Sequence, residues 1–447
     1  MALVLLVPAA AAQTSLSIYR DGRVVVRRTL PQALERGRNS LTLRLDAFDP
    51  ATFFSPDTAV AVLSATARFP SAKGDALARA VGQTLSFVRG DDTIRATVVR
   101  VDPPQYRLSD GRLLLASPGE PLFPAGLVRT APEAAVVLEA SRARPRTEVA
   151  YVAQGVTWEA LYHVLLLGAR ASITGTATVN SQTLRADSAE VQLVAGAIRR
   201  TRPGAPPIPM EGVMMRARAG VAQDAYAAEE GVGETHVYQL PGRLTVEPSV
   251  PVTTALFPRS TAPVVQELIV PGVLPWRGWI GQNPEPDRVP VQVWYTLRRA
   301  RNTAFGDRPL PAGTVQLYQA DASGRVQLIG EASNTHTAPG RDLRLQSGDA
   351  FDVTAERVQT DFNQEVIPPA QRGMSQRQRV TAAYRVTIAN AKATPVTVDI
   401  REARFGDWKI TQSSVPAEKL SSTESRFRLT VPAGGAATLT YTVQIES

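Results

Sequence analysis

Residues 302–357 read NTAFGDRPLPAGTVQLYQADASGRVQLIGEASNTHTAPGRDLRLQSGDAFDVTAER. Short runs such as GTVQLYQ (313–319), RVQLIGEA (325–332) and AFDVTAERV (350–358) alternate apolar with polar residues, and glycine, proline and aspartate punctuate them. A period of two puts every second side chain on one face of an extended strand, so the pattern predicts half-buried strands joined by tight turns. Asp321-Ala322-Ser323-Gly324 begins like a calcium loop, but its length fits a hairpin turn and the remaining ligands are missing.

The same grammar extends in both directions. SLSIYRDGRVVVRRTL (15–30) sets Asp21-Gly22 between two alternating runs, as a two-residue hairpin turn requires. Towards the C-terminus, Tyr384, Val386 and Ile388, then Val396, Val398 and Ile400, then Leu439, Tyr441, Val443 and Ile445 fall on one face of successive strands. The predicted fold is all-β: tandem β-sandwiches, the last immunoglobulin-like, with a small inserted SH3-like barrel. Expected boundaries are a signal-peptide remnant at 1–12, an N-terminal β segment at 13–70 and the barrel at 71–128. A central sandwich region at 129–375, with a mobile loop at 199–235, and a C-terminal sandwich at 376–447 complete the chain.

Composition narrows the function classes. The chain has 447 residues, enough for about three cores at roughly 100–200 residues each. It contains no cysteine, which removes disulfides, thiolate metal sites, a cysteine nucleophile and an acylated lipoprotein anchor. The net charge of +8 comes from arginines scattered among acids, with no phosphate-tracking cluster, so nucleic acid is not an expected partner. Met1–Ala12, MALVLLVPAAAA, is shorter than the roughly 20 residues a membrane helix needs. Its small residues before Gln13 suit a signal-peptidase cut and predict export, to the periplasm or the cell surface.

Chemistry-bearing motifs are sparse. The three histidines, His163, His236 and His336, lie far apart in sequence, and no G-x-S-x-G, Walker A or dinucleotide fingerprint occurs. The adjacent pairs Asp91-Asp92 and Glu229-Glu230 read as solvated turn or loop residues, and no metal or cofactor is expected. His336, in the polar turn SNTHTAPG, is the histidine best placed to act. The other candidate binding residues are Trp276, Arg277 and Trp279 in PGVLPWRGW (271–279), where prolines and glycines interrupt a strand. Indole faces there suit a sugar ring or a partner side chain, and Arg277 adds a cation. The bland reading is that the tryptophans plug the end of a sandwich.

The run VAYVAQGVTWEALYHVLLL (149–167) followed by ITGTATVNSQTLRADSAEVQLVAG (173–196), with Trp158, Tyr162, Asn180 and Gly196, and the segment 302–357 resemble a bacterial secreted family called domain of unknown function 4139, whose members include mucoidy-inhibitor-A-like proteins. The resemblance implies export and β-sandwich architecture, and it carries no catalytic residues. Relatives commonly hold a coiled coil where this chain has residues 71–128. The function expected is a non-catalytic scaffold or interaction protein of the cell envelope, with a protein or envelope polysaccharide as partner and self-association open to it. The alternatives are a glycan-binding module using the aromatic loop and, behind it, a carboxylate-dependent hydrolase.

Overall fold

A computed structural model of the protein describes residues 14–45, 48–196, 228–232, 235–272, 281–283, 285–368 and 377–446. Residues 1–12, most of 199–235 and the tryptophan loop 273–280 fall outside the described residues. Strands dominate: among the described residues the helical elements are Lys73–Arg79 and two single 3-10 turns. The chain divides into two compact units, Met1–Glu159 with Ala177–Leu256, and Ala160–Thr176 with Phe257–Ser447.

In the first unit the 15–30 hairpin forms as its sequence predicts, Thr14–Tyr19 against Arg23–Thr29 with Gly22 at φ +88°. The positive φ is where glycine avoids a Cβ clash. Leu16, Ile18, Val24 and Val26 are fully buried on one face. Thr14–Tyr19 also pairs in parallel with Ala186–Ala195, at the centre of a seven-stranded sheet. A three-stranded sheet, Gly37–Arg44, Glu133–Ala140 and Val60–Arg68, accompanies it.

Residues 71–128 interrupt the antiparallel pair Val60–Arg68 and Glu133–Ala140. They do not form the expected SH3-like barrel. Their five strands make an open sheet in the order Leu113–Leu114, Gln105–Leu108, Asp92–Arg100, Thr84–Arg89, Glu120–Leu122, and its two ends do not pair. Those end strands are two and three residues long, too short to close a ladder across the mouth. The helix Lys73–Arg79 supplies Leu77 to the core instead, against Leu85, Phe87, Ala96, Val98 and Tyr106. At the neck, Ser71 N–H donates to Arg129 O at 2.9 Å, Arg129 N–H donates to Ser71 Oγ at 2.9 Å, and Arg79 Nη2 donates to Leu127 O at 2.8 Å.

The second unit holds a ten-stranded mixed sheet and a five-stranded sheet. Their sandwich-like core joins Val398, Ile400, Phe427 and Val431 of the first to Val386, Ile388, Leu439 and Val443 of the second, all fully buried. The one-face alternation predicted for these strands is what places them there. Each such aliphatic side chain contributes roughly 1.5–3 kcal/mol by leaving water.

Candidate binding site

Two neighbouring constructions are built against residues 302–357. The first is a buried arginine. Arg299 is 1% exposed, and its guanidinium donates to Phe305 O (3.0 and 3.2 Å), Ala338 O (3.1 Å), Arg341 O (3.1 Å) and Arg308 O. Its backbone N–H donates to Asp342 Oδ1 at 3.0 Å. The planar fork of donors suits several converging carbonyls, and it locks 299–310 to 338–342 without regular secondary structure. Nearby, Asn334 Nδ2 and Tyr162 Oη both donate to Pro311 O, at 3.1 and 2.6 Å.

Against this scaffold lies a groove of about 670 Å³, walled by Glu331–Thr335 and Leu343–Gly348 and touching Trp294 and Thr337. A volume of that size suits a ligand of several residues or a small molecule. The Arg344 guanidinium stacks on the Trp294 ring, 4.3 Å from its centroid, and its Nε lies 3.6 Å from Glu267 Oε2. Trp294 Nε1 donates to Gln292 Oε1 at 3.0 Å, which fixes the indole. Gln316 Nε2 donates to Glu331 Oε2 at 3.1 Å. Among the described lining residues Glu331 is the one carboxylate, and the hydroxyls of Ser333, Thr335 and Ser347 have no histidine beside them in the lining. The groove offers hydrogen bonds and a cation-capped aromatic, with no nucleophile–base pair in view.

Hydrogen bonds of the hairpin turn account for Asp321. Its Oδ1 accepts from Ser323 Oγ (2.6 Å), Ser323 N–H (2.9 Å) and Arg325 N–H (3.0 Å), and those bonds hold its carboxyl down at about 2. The carboxylate is occupied in shaping its own turn, with Gly324 at φ +82°.

A buried charge cluster sits in the second unit. Arg357 Nη2 donates to Glu402 Oε2 at 2.5 Å and to Tyr441 Oη at 3.1 Å, while Arg404 Nη2 lies 3.7 Å from the same Glu402 oxygen. Two guanidiniums share one carboxylate, and aromatic faces take up the remainder: Arg404 lies over Trp408 and Tyr441, and Arg357 over Tyr384. Burial works most strongly against the charge on Arg357, but Glu402 together with Tyr441 and Tyr384 outweighs it and raises its pKa; burial also pushes the Tyr441 phenol up.

His336, the histidine singled out in the sequence, lies exposed in the turn between Thr335 and Thr337, and its Nδ1 accepts from Ala312 N–H at 3.3 Å. Trp276, Arg277 and Trp279 lie outside the described residues; Gly281 O, just beyond them, accepts from Gln359 Nε2 at 3.1 Å. Sequence reasoning missed Arg299, Trp294 and Arg344. Their roles depend on which strands become neighbours: Thr296 pairs with Arg344 and Trp294 with Gln346, a diagonal no local pattern announces. Among the described residues no group of three or more His, Asp or Glu side chains is placed to hold a metal ion. Nor is any helix there long and apolar enough to cross a membrane, which says nothing of a β-barrel. The chain matches no family model and no curated protein.

Proposed function

We propose that this protein is a non-catalytic binding or scaffold protein of the bacterial cell envelope, acting on a protein partner. The observation that carries this reading is the groove beside Trp294, walled by Glu331–Thr335 and Leu343–Gly348 and lined by polar groups and an arginine-capped indole. A face of the Trp294 ring is already covered by Arg344, so a sugar stacking there must displace a cation, whereas a peptide can use the groove walls directly. Export rests on Met1–Ala12 and on the resemblance to the secreted family of domain of unknown function 4139.

In vivo crosslinking of the full chain in envelope preparations, followed by mass spectrometry of the adducts, tests the reading. A partner crosslinked to residues 331–335 or 343–348 is expected. Adducts confined to glycan, or substrate turnover by the purified chain, would overturn it. The glycan reading of Trp276, Arg277 and Trp279 has its own test: quenching of tryptophan fluorescence by cell-wall fragments that is lost in Trp276→Ala.

A further inference from the structure

The ten-stranded sheet branches at Val252–Val270, and one arm continues through Val396–Ala403 and Glu424–Val431 to Ala417–Lys419. Along the other path, Val326–Asn334 pairs with Gly313–Ala320, then come Val156–Leu167, Arg170–Ser181, Val252–Val270, Gln292–Leu297 and finally Leu343–Asp349, so that two of the sheet's three terminal strands are Val326–Asn334 and Leu343–Asp349. The first and last of these strands meet at one point. A Cβ added to Gly330 would lie 2.6 Å from Ser347 O and 2.7 Å from its Cα, so only glycine lets the backbones touch. No ladder joins them among the described residues, and the groove opens immediately beyond Gly330, from Glu331 onward.

Each of these strands is therefore paired on one side and presents a row of backbone N–H and C=O groups on the other. Edges of this kind are commonly blunted by charged side chains, above all lysine, by proline or by bulges, and here Glu331, Arg344 and the register shift at Ser347 are such devices. Neither VQLIGEASN (326–334) nor LRLQSGD (343–349) contains lysine or proline. The groups best suited to a free backbone edge beside a groove are those of another backbone.

We propose that the groove receives an extended peptide strand of a partner protein, which pairs by β-addition with the edge Glu331–Thr335 while Leu343–Gly348 forms the opposite wall. The proposal rests on the protein-binding reading above and names its partner chemistry. Five edge residues match an incoming segment of about five residues, roughly 17 Å long. The lining sets the polar Glu331, Ser333, Thr335, Arg344 and Gln346 beside the apolar Trp294 and Ala332, so the strand's groove-facing side chains are mixed, with polar groups in the majority. Proline is excluded at alternate positions, where the strand must donate an N–H.

The probe is a displayed library of linear seven-residue peptides, panned on the full chain and followed by calorimetry of the selected peptides. N-methylation of one alternate set of backbone amides is expected to weaken binding at least tenfold, while the other set is tolerated. That period of two is the signature of edge pairing. Ser333→Trp, which fills the groove from an exposed position, is expected to abolish binding and to leave the melting profile in place. Equal tolerance of both methylated sets, failure to select any peptide, or binding unchanged in Ser333→Trp overturns the proposal. If Ser333→Trp does not fold, the methylation series decides alone. A native partner that crosslinks elsewhere on the chain and is not displaced by the peptides would sink β-addition while leaving the binding function standing.

Discussion

Arg299 shows how much one side chain holds in this fold. Removing its guanidinium leaves four backbone carbonyls without their buried donor. Arg299→Met is expected to cost about 3–5 kcal/mol, read from urea unfolding, since bonds to a charged group are worth roughly 1.5–3 kcal/mol each and do not add fully. Arg299→Lys should recover little of it, because an ammonium cannot span the four acceptors. Glu402→Gln leaves Arg357 and Arg404 buried without their carboxylate, and a loss of about 3–5 kcal/mol is expected by the same measurement. Acid sensitivity follows from the carboxylates. Asp321 is held at about 2, and Asp57, Asp342 and Glu446 are also lowered. A depressed carboxyl contributes stability above its unfolded pKa and loses it as pH falls through the folded one. The melting temperature should therefore decline as pH drops from about 4.5 towards 2. Asp321→Asn should flatten part of that decline, and an unchanged acid profile in the variant would show that the turn contributes nothing.

Strands were legible wherever alternation and turn chemistry agreed. The Asp21-Gly22 and Asp321–Gly324 turns and the C-terminal strands lie where period-two patterning puts them, because a half-buried strand writes its inner face into the sequence. What stayed hidden was pairing at a distance. Thr14–Tyr19 lies parallel to Ala186–Ala195, and Val156–Leu167 parallel to Gly313–Ala320, and no local signal specifies a partner so far along the chain. The inserted module misled for a related reason: its five strands are readable, but closure depends on the length of the end strands, and the seven-residue helix Lys73–Arg79 that covers the core is too short to advertise itself. The groove shared that fate, being made by two edges whose proximity hangs on Gly330. Phe427→Ala, in the core the two sheets share, is expected to cost about 3–5 kcal/mol; a loss below about 1 kcal/mol would mean that those sheets do not pack as described.

For the whole molecule, the inserted module is the separable part. It enters between two adjacent antiparallel strands whose register brings Arg68 opposite Glu133, its neck is closed by Ser71 and Arg129, and its core is its own. Replacing 72–128 with a short glycine-containing turn should leave the remaining sheets folded, with circular dichroism unchanged per residue apart from the lost helix. Collapse of the shortened chain would show that the module is integral to the core. The edges at 331–335 and 343–348 have the opposite character, since they belong to the largest sheet and yet leave it open. Amide hydrogen exchange, residue by residue, is the most direct measurement. In the free protein, amides on the outer side of Glu331–Thr335 should exchange far faster than those of the paired strand Gly313–Ala320, and alternate ones among them should become protected when the partner peptide binds. Uniform protection of both edges before any partner is added, or no new protection afterwards, would contradict an open edge that a second chain completes.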